Sequence, residues 1–139
     1  MQLVLLRDAF HDRTRAWVTL DREDARSLLA AEPVFYAHGP TTRNVGNLIR
    51  NLRLAWTLVR RLQPRVVLTT GAGVAVPFAW IGRLVGARVV YVESLTRVNR
   101  PSLSFRLIKP VAHRVYVQWP ELARAIPDAR YVGTVFDPP

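Results

Sequence analysis

Residues 65–93 read RVVLTTGAGVAVPFAWIGRLVGARVVYVE and contain two apolar runs separated by a helical pattern. The runs Arg65–Thr70 and Arg88–Glu93 are rich in β-branched and aromatic residues, which is typical of strands covered on both faces. Between them, Ala75–Val85 fits a helix, and Gly86 suits the position that follows a helix C-terminus. A strand, a helix and a second strand in this order predict a parallel sheet.

The same alternation extends in both directions from this unit. Four further strands are predicted at Arg15–Leu20, Val34–His38, Arg114–Gln118 and Tyr131–Val135. Helices are predicted at Asp21–Glu32 with Asp21 as N-cap, at Asn44–Leu62, at Ser102–Lys109 and at Pro120–Ile126. The sequence therefore predicts an α/β fold with a Rossmann-like parallel sheet, formed as a single domain by residues 1–136 and followed by a tail at 137–139.

The longest predicted helix has a periodic apolar face. At 100° per residue, one face carries Leu48, Ile49, Leu52, Ala55, Trp56, Val59 and Leu62, and we expect this face to pack on the sheet. The opposite face carries Asn47, Asn51, Arg50 and Arg61 together with Leu54 and Leu58. These two leucines among arginines indicate contact with a membrane surface or with a partner protein. The alternative is that they are scattered exposed leucines of the kind that many proteins have.

Composition narrows the class of protein. The chain has 139 residues, of which 50% are hydrophobic, so it suits one packed domain and is too short for an enzyme with separate donor and acceptor domains. It has no cysteine and no apolar run of about 18 residues, which excludes disulfides, thiolate catalysis and a membrane-spanning segment. We expect no secretory leader.

The net charge of +10 comes almost entirely from arginine. It indicates an anionic partner such as a phosphate-bearing substrate, acidic lipid or nucleic acid, or it reflects a GC-rich genome.

Two groups of candidate site residues follow predicted strands, at the edge where open parallel sheets bind ligands. Gly71, Ala72 and Gly73 precede a helix N-terminus, where backbone can approach an anion, although taken alone a simple tight turn explains them better. The loop is neither a dinucleotide fingerprint nor a P-loop. After the next strand, Glu93, Ser94 and Arg97 could hold a sugar or polarise a hydroxyl, or Glu93 and Arg97 could form an ion pair that fixes a loop.

A third pair, Gln118 and Trp119, follows the fifth strand in the same layer. Trp119 could stack on a ring or complete the core. The three histidines lack the spacing of metal ligands, and no metal site is predicted.

The motifs G-A-G, E-S-x-x-R, S-L-S and Q-W occur in this order within TTGAGVAVPFAWIGRLVGARVVYVESLTRV, PSLSFRLI and VYVQWPEL. Together with WVTLDREDARSLL, PTTRNVGNLIRN and YVGTVF, they resemble PssD-type acceptor-side subunits of split bacterial glycosyltransferases that make exopolysaccharide. That family is related to the membrane subunit of the eukaryotic UDP-N-acetylglucosamine transferase of lipid-linked oligosaccharide synthesis. A more distant likeness is to the N-terminal half of MurG.

The resemblance implies a GT-B arrangement divided over two polypeptides. This chain would supply the acceptor and membrane side at the cytoplasmic face of an acidic membrane, bound peripherally and without a transmembrane helix of its own. A catalytic donor-binding subunit would hold the UDP-sugar, and a lipid-linked sugar would be the acceptor. No cofactor is implied, and the chain alone is not expected to be catalytic. The alternatives are a stand-alone small glycosyltransferase and a basic nucleic-acid-binding module.

The resemblance also implies roles for particular residues. The substrate-binding set would be Gly71, Ala72, Gly73, Glu93, Ser94, Arg97, Gln118 and Trp119. Glu93 and Arg97 would face the cleft between the subunits as candidate catalytic residues. The membrane-facing set would be Arg50, Leu54, Leu58, Arg61, Phe78, Trp80 and Arg83.

Family members usually begin with a strand and a G-G-H-L turn ahead of the positions that match Gln2 and Leu3. The present sequence starts at Met1, after that motif. We therefore expect a sheet without its first strand, which in a doubly wound sheet would lie between Arg15–Leu20 and Arg65–Thr70. A sheet with such a gap is expected to be marginally stable.

Overall fold

The computed structural model describes residues 3, 6–7, 10, 12–40, 44–71, 73–93 and 101–133. Its strands are β1 (Trp17–Leu20), β2 (Val34–Ala37), β3 (Val66–Thr69), β4 (Arg88–Val92), β5 (Arg114–Val117) and β6 (Ala129–Tyr131). Its helices are α1 (Glu23–Leu28), α2 (Val45–Leu62), α3 (Ala75–Leu84), α4 (Leu103–Ile108) and α5 (Pro120–Ala125), and a 3-10 turn at Lys109–Val111 follows α4. The predicted order of strands and helices is confirmed. The last strand begins two residues earlier than predicted, and residues 134–135 of that prediction lie outside the described residues.

All strand pairs that the structure describes are parallel. β1 pairs with β2 in one sheet, and β3, β4, β5 and β6 form a second sheet in that order. Within the described residues, β1 has no partner other than β2, and β3 has no partner other than β4. The prediction of a parallel α/β fold is therefore confirmed. No strand among the described residues belongs to both sheets.

The two sheets share an apolar core through α2 and α3. Ala55, Leu58 and Val59 of α2 pack with Phe78 and Ile81 of α3. This cluster is also contacted by a side chain from each of three strands, namely Val18 of β1, Phe35 of β2 and Val67 of β3. A second cluster lies around β4 and β5, and its fully buried members include Val89, Ile108 and Leu122. Helix packing therefore connects two sheets between which the described residues form no strand pairing.

The orientation of α2 is opposite to the prediction. Its buried residues are Asn47, Asn51, Ala55, Leu58 and Val59, whereas Leu48, Ile49, Leu52, Trp56 and Leu62 are exposed. Of the face that was predicted to pack on the sheet, only Ala55 and Val59 are buried, and the prediction for its other residues is wrong.

The physical reason for this orientation is that the two asparagines bind backbone groups. The His38 N–H donates to Asn51 Oδ1 at 2.8 Å, and Asn51 Nδ2 donates to the His38 carbonyl at 3.0 Å. Asn47 Nδ2 donates to the carbonyl of Pro40 at 2.9 Å. Buried amides with these partners are satisfied, so the face that carries them can turn inward.

The first helix is shorter than predicted and differs at its start. Arg22 occupies the N-cap position without a capping side chain, and α1 ends at Leu28 rather than Glu32. Asp21, the predicted cap, instead accepts two bonds from the guanidinium of Arg26 at 2.5 and 2.6 Å. Asp21 therefore forms an ion pair with α1 and does not cap its N-terminus.

Candidate functional site

The predicted site residues lie at the carboxyl edge of the larger sheet. Because β3, β4 and β5 are parallel neighbours, Gly71, Glu93 and Gln118 follow three adjacent strand ends. The structure therefore brings together one member of each predicted group. Ala72, Ser94 and Arg97 lie outside the described residues.

Gly71 occupies a position that only glycine fits. Its φ of 92° lies in the left-handed region, and its N–H donates to Thr69 Oγ1 at 3.0 Å. A Cβ at this residue would lie 2.6 Å from the hydroxyl oxygen of Tyr91. Because glycine has no Cβ, the loop after β3 can lie close to the end of β4. Gly73 is exposed in the turn that precedes α3.

Glu93 is fully buried at the end of β4. Its carboxylate accepts a hydrogen bond from the Tyr91 hydroxyl at 2.9 Å and one from the backbone N–H of Ser102 at 2.9 Å. The Ser102 hydroxyl lies 3.1 Å from both carboxylate oxygens, and Ser102 is the N-cap of α4, where its oxygen accepts from the Phe105 N–H. A buried carboxylate needs such donors, and these donors fasten the end of β4 to the start of α4.

Gln118 and Trp119 extend this arrangement to β5. Gln118 is buried, and its Nε2 donates to the Glu93 carbonyl at 3.0 Å. Trp119 is the N-cap residue of α5, where its carbonyl accepts from the N–H groups of Leu122 and Ala123, and its side chain packs against the main core cluster. The geometry therefore agrees with the reading of Trp119 as a residue that completes the core.

Two members of this polar network are residues that the sequence did not identify as site residues. Tyr91 and Ser102 bind each other at 3.0 Å and both bind Glu93. A tyrosine in a strand that is covered on both faces has a buried hydroxyl, which needs a hydrogen-bond partner. The sequence alone could therefore have pointed to Tyr91. Ser102 was predicted as the first residue of a helix and as part of the S-L-S motif, but not as a site residue.

Glu93 has no exposed surface, and its carboxylate bonds hold the end of β4 to the start of α4. Its position facing a cleft between subunits stays a prediction. The N-terminus of α3 lies at the same edge, and its N-cap residue Val74 makes no side-chain capping bond.

The predicted membrane-facing set divides in the structure. Arg50, Arg61, Trp80 and Arg83 are exposed, and Leu54 is half-buried. Leu58 and Phe78 are 4% and 9% exposed, so their placement at the surface is wrong, because both belong to the core between α2 and α3.

The exposed apolar surface of α2 is a different set of residues, which we call the α2 stripe: Val45, Leu48, Ile49, Leu52 and Trp56. The guanidinium of Arg60 lies over the Trp56 ring, 5.0 Å from its centroid. Within the described part of the chain, no helix has the length and apolar character needed to cross a bilayer.

The fold is similar to that of a known glycosyltransferase. The structure of MurG from Acinetobacter baumannii superimposes with a TM-score of 0.74 at 16% sequence identity, covering 95% of this chain and 40% of that one. The architecture thus defines a Rossmann-like domain of the GT-B class. Residues 37–135 match the family described as oligosaccharide biosynthesis protein Alg14 like, and the chain belongs to this family.

Curated relatives agree with the family. The chain is 38% identical over 86 residues to the UDP-N-acetylglucosamine transferase subunit ALG14 of Yarrowia lipolytica, covering 58% of this chain and 40% of that one. It is 36% identical over 120 residues to the subunit of the same name in Eremothecium gossypii, which covers 78% of this chain and 52% of that one. It is 31% identical over 93 residues to that of Homo sapiens, which covers 63% of this chain and 43% of that one. The chain therefore spans about half or less of the length of these relatives, and the expected resemblance to this family is confirmed.

Proposed function

We propose that the chain is the acceptor-side and membrane-side component of a two-component glycosyltransferase. The complete enzyme would transfer a sugar from a UDP-sugar to a lipid-linked acceptor in the biosynthesis of a polysaccharide or oligosaccharide. The observation that carries this proposal is the family match over residues 37–135, since that range contains the whole polar network from Gly71 to Gln118. The curated relatives that the chain matches are named as UDP-N-acetylglucosamine transferase subunits.

The partner in this proposal is a catalytic subunit that binds the nucleotide sugar. The present chain forms one Rossmann-like unit, whereas a GT-B site is built between two such units. The carboxyl edge of the larger sheet would face the partner, because open parallel sheets bind ligands there. The loop that contains Gly71 and Gly73 and the uncapped start of α3 would approach the acceptor, whose lipid-linking phosphate is an anion.

In this arrangement Glu93 and Gln118 act as positioning residues. Their bonds to Tyr91, to Ser102 and to each other fix the ends of β4 and β5 relative to α4. The reacting groups would then be supplied by the partner and by the acceptor-facing loops of this chain.

The membrane in this proposal meets the α2 stripe. Five apolar side chains exposed along three turns, with Arg53 and Arg60 beside them, form an amphipathic surface of the kind that lies in a lipid interface. Acidic lipids at the cytoplasmic face would attract the excess of arginine. The acceptor is itself lipid-linked, so a peripheral position at the membrane would bring it to the carboxyl edge.

The test uses this chain and its candidate donor-binding subunit, separately and together. Size-exclusion chromatography of the mixture should show one complex, and transfer from a radiolabelled UDP-sugar to a polyprenyl-linked acceptor should require both chains. Transfer by the present chain alone would contradict the division of the enzyme into two polypeptides. Failure of the two chains to form a complex would contradict the proposed partner independently of activity.

A further inference from the structure

Within the described residues, helices pack on only one face of the larger sheet. Side chains of α3, α4 and α5 form the main core cluster together with Val67 of β3, Val89 of β4 and Val115 of β5. Because successive side chains of a strand point to opposite faces, the residues between these lie on the other face. We call that surface the open face, and its apolar side chains are Val66, Leu68, Val90 and Tyr116.

The open face is apolar and incompletely covered. None of its four apolar side chains belongs to either core cluster. Val66 is 53% exposed, and the other three are half-buried. Parallel sheets normally have both faces covered by helices, because their strands are apolar on both sides. The open face therefore has the composition of a surface that packs against a further element.

Three arginines cross the open face in a diagonal row. Arg88 of β4, Arg114 of β5 and Arg130 of β6 each occupy a position on this face. The register pairs Arg114 with Val90 and Arg130 with Tyr116, so each arginine lies two residues further along the strand direction than the one before it. At ~3.3 Å per residue and ~4.8 Å between strands, neighbouring Cα atoms are ~8 Å apart and the row is ~16 Å long. All four apolar side chains lie on one side of this row.

No carboxylate neutralises the row in the part of the chain that the structure describes. All three arginines are exposed, and none forms an ion pair there. Arg114 donates one long hydrogen bond, from Nη1 to the His113 carbonyl at 3.4 Å. Of the 10 acidic residues of the sequence, only Asp8 and Asp137 lie outside the described residues, which is too few for a matching acidic segment from this chain. A second copy carries the same net charge of +10 and would repel this face.

We propose that the open face binds an amphipathic helix of a different protein. The apolar side chains of that helix would pack on β3 and β4, and acidic side chains along one flank would pair with the arginine row. A helix rises about 1.5 Å per residue, so about 11 residues, or three turns, match the length of the row. Valine and leucine side chains offer no ring on which a base can stack, which favours a helix over a single-stranded nucleic acid. The site does not depend on the function proposed above, since it lies on a face of the sheet and not at its carboxyl edge.

The first measurement uses a designed helical peptide of about 16 residues, with leucines on one face and three glutamates along one flank of that face. The fluorescence anisotropy of this glutamate peptide is followed as the 139-residue chain is added. Saturable binding is expected. A peptide of the same composition in scrambled order should bind about tenfold more weakly, because its apolar and acidic side chains no longer share a face.

Charge reversal tests the arginine row. Arg114→Glu should weaken the binding of the glutamate peptide about tenfold and should strengthen that of a peptide with lysines at the same positions. This exchange of preference also shows that the variant is folded. Arg124→Glu is the matched control, because Arg124 is also exposed but lies on α5, at the opposite face of the same sheet. It changes the net charge equally and should leave the preference for the glutamate peptide unchanged.

A second measurement locates the bound peptide. The sequence has no cysteine, so Val66→Cys introduces a single thiol on the open face, and Leu103→Cys introduces one on α4 at the opposite face. The glutamate peptide should slow the reaction of the first thiol with a disulfide reagent in proportion to the fraction of the chain that has peptide bound. The reaction of the second thiol should be unchanged.

The site would be overturned if the glutamate peptide does not bind, if it binds no better than the scrambled peptide, or if Arg114→Glu and Arg124→Glu have equal effects. Protection of the thiol on α4 instead of the thiol on β3 would overturn its location. The thiol experiment is repeated with phosphatidylglycerol vesicles and with a polyuridine oligonucleotide. If either of these protects the thiol on β3 while the glutamate peptide does not, the occupant is a membrane or a nucleic acid, and the proposed helix is wrong.

Discussion

The hydroxyl of Tyr91 is the point at which three separate segments of the carboxyl edge meet. It lies against Gly71 in the loop after β3, donates to Glu93 at the end of β4 and contacts Ser102 at the start of α4. A single buried hydroxyl therefore sets the distance between a loop, a strand end and a helix. Changes at each of these residues have predictable and separable effects.

Gly71→Ala is expected to destabilise the chain through two effects. An alanine at φ 92° costs about 1–3 kcal/mol, and its Cβ would overlap the Tyr91 hydroxyl at 2.6 Å. Gly86→Ala is the matched control, because Gly86 has the same φ of 92° but nothing within 4 Å of its added Cβ. Urea unfolding should show a larger loss of free energy for Gly71→Ala than for Gly86→Ala.

The difference between the two alanine variants should shrink in a Tyr91→Phe background, since phenylalanine lacks the oxygen that the Cβ meets. Equal losses at both glycines would show that Tyr91 can move aside, and that the close approach does not constrain the loop.

Glu93→Gln is expected to lower the free energy of unfolding by about 1–3 kcal/mol, because its amide group would face donors that now bind a carboxylate. The donors are the N–H and hydroxyl of Ser102 and the hydroxyl of Tyr91. Glu121→Gln, at an exposed first-turn position of α5, serves as the control and should change stability little. If Glu93→Gln unfolds like the unsubstituted chain, the carboxylate has no positioning role and the earlier catalytic assignment is favoured again.

At the scale of elements, strands were predicted more accurately than helix faces. The runs that became β3 and β4 are rich in β-branched and aromatic residues, which fit a buried, pleated strand. The periodicity of α2 located its ends within one residue, with Asn44 as N-cap, but the same periodicity chose the wrong face. Asn51 is polar, so a projection based on hydrophobicity places it on the solvent face. In the structure it is buried, because its side chain forms two hydrogen bonds with the backbone of His38. Those partners come from another element and are not visible in a helical projection.

In the candidate site, too, some features were predictable from the sequence and others depend on contacts between elements. The spacing of the strands was sufficient to place Gly71, Glu93 and Gln118 at one edge, because parallel strands align their ends. The burial of Glu93 was not predictable from its position, since it results from the return of the chain at Ser102 to cover the end of β4. A polar residue at a strand end can support a site or belong to it, and sequence does not distinguish these roles.

The exposed α2 stripe leads to a prediction about membranes. The chain should bind vesicles that contain anionic lipid, with each arginine near the surface contributing about 1 kcal/mol, and binding should weaken as salt rises. Replacing both Ile49 and Trp56 with serine should reduce the binding, because each is 47% exposed on the stripe. Leu103→Ser is the control, since Leu103 is 70% exposed on α4, away from α2. Co-sedimentation that ignores lipid charge and salt, or that falls equally in both variants, would contradict docking through α2.

For the whole molecule, the division of the parallel sheet is the main structural feature. α2 and α3 cover side chains of β1, β2 and β3, so one apolar cluster contacts both sheets. In the described residues, however, β1 and β3 each use only one of their two edges. A strand placed between them would give the order of a doubly wound sheet, in which the first strand is central.

The last prediction concerns the stability of residues 1–139. Within the described residues, β1 and β3 each have one edge without a strand partner. A buried and unsatisfied backbone group on such an edge costs about 1–3 kcal/mol, and a domain has only about 5–15 kcal/mol of stability in total. We expect a higher and sharper thermal transition when the chain carries an added N-terminal strand that can pair with both of these edges. Each kcal/mol gained should raise Tm by about 4 °C.

An extension of the same length with proline at alternate strand positions provides the control, because it adds the same residues but cannot pair with either edge. The proline extension should leave Tm unchanged and should leave the chain as prone to aggregate as before, since open parallel edges pair with other chains. If residues 1–139 alone melt as cooperatively and at as high a temperature as the strand-extended chain, then helix packing through α2 and α3 suffices, and the divided sheet is a complete and stable arrangement.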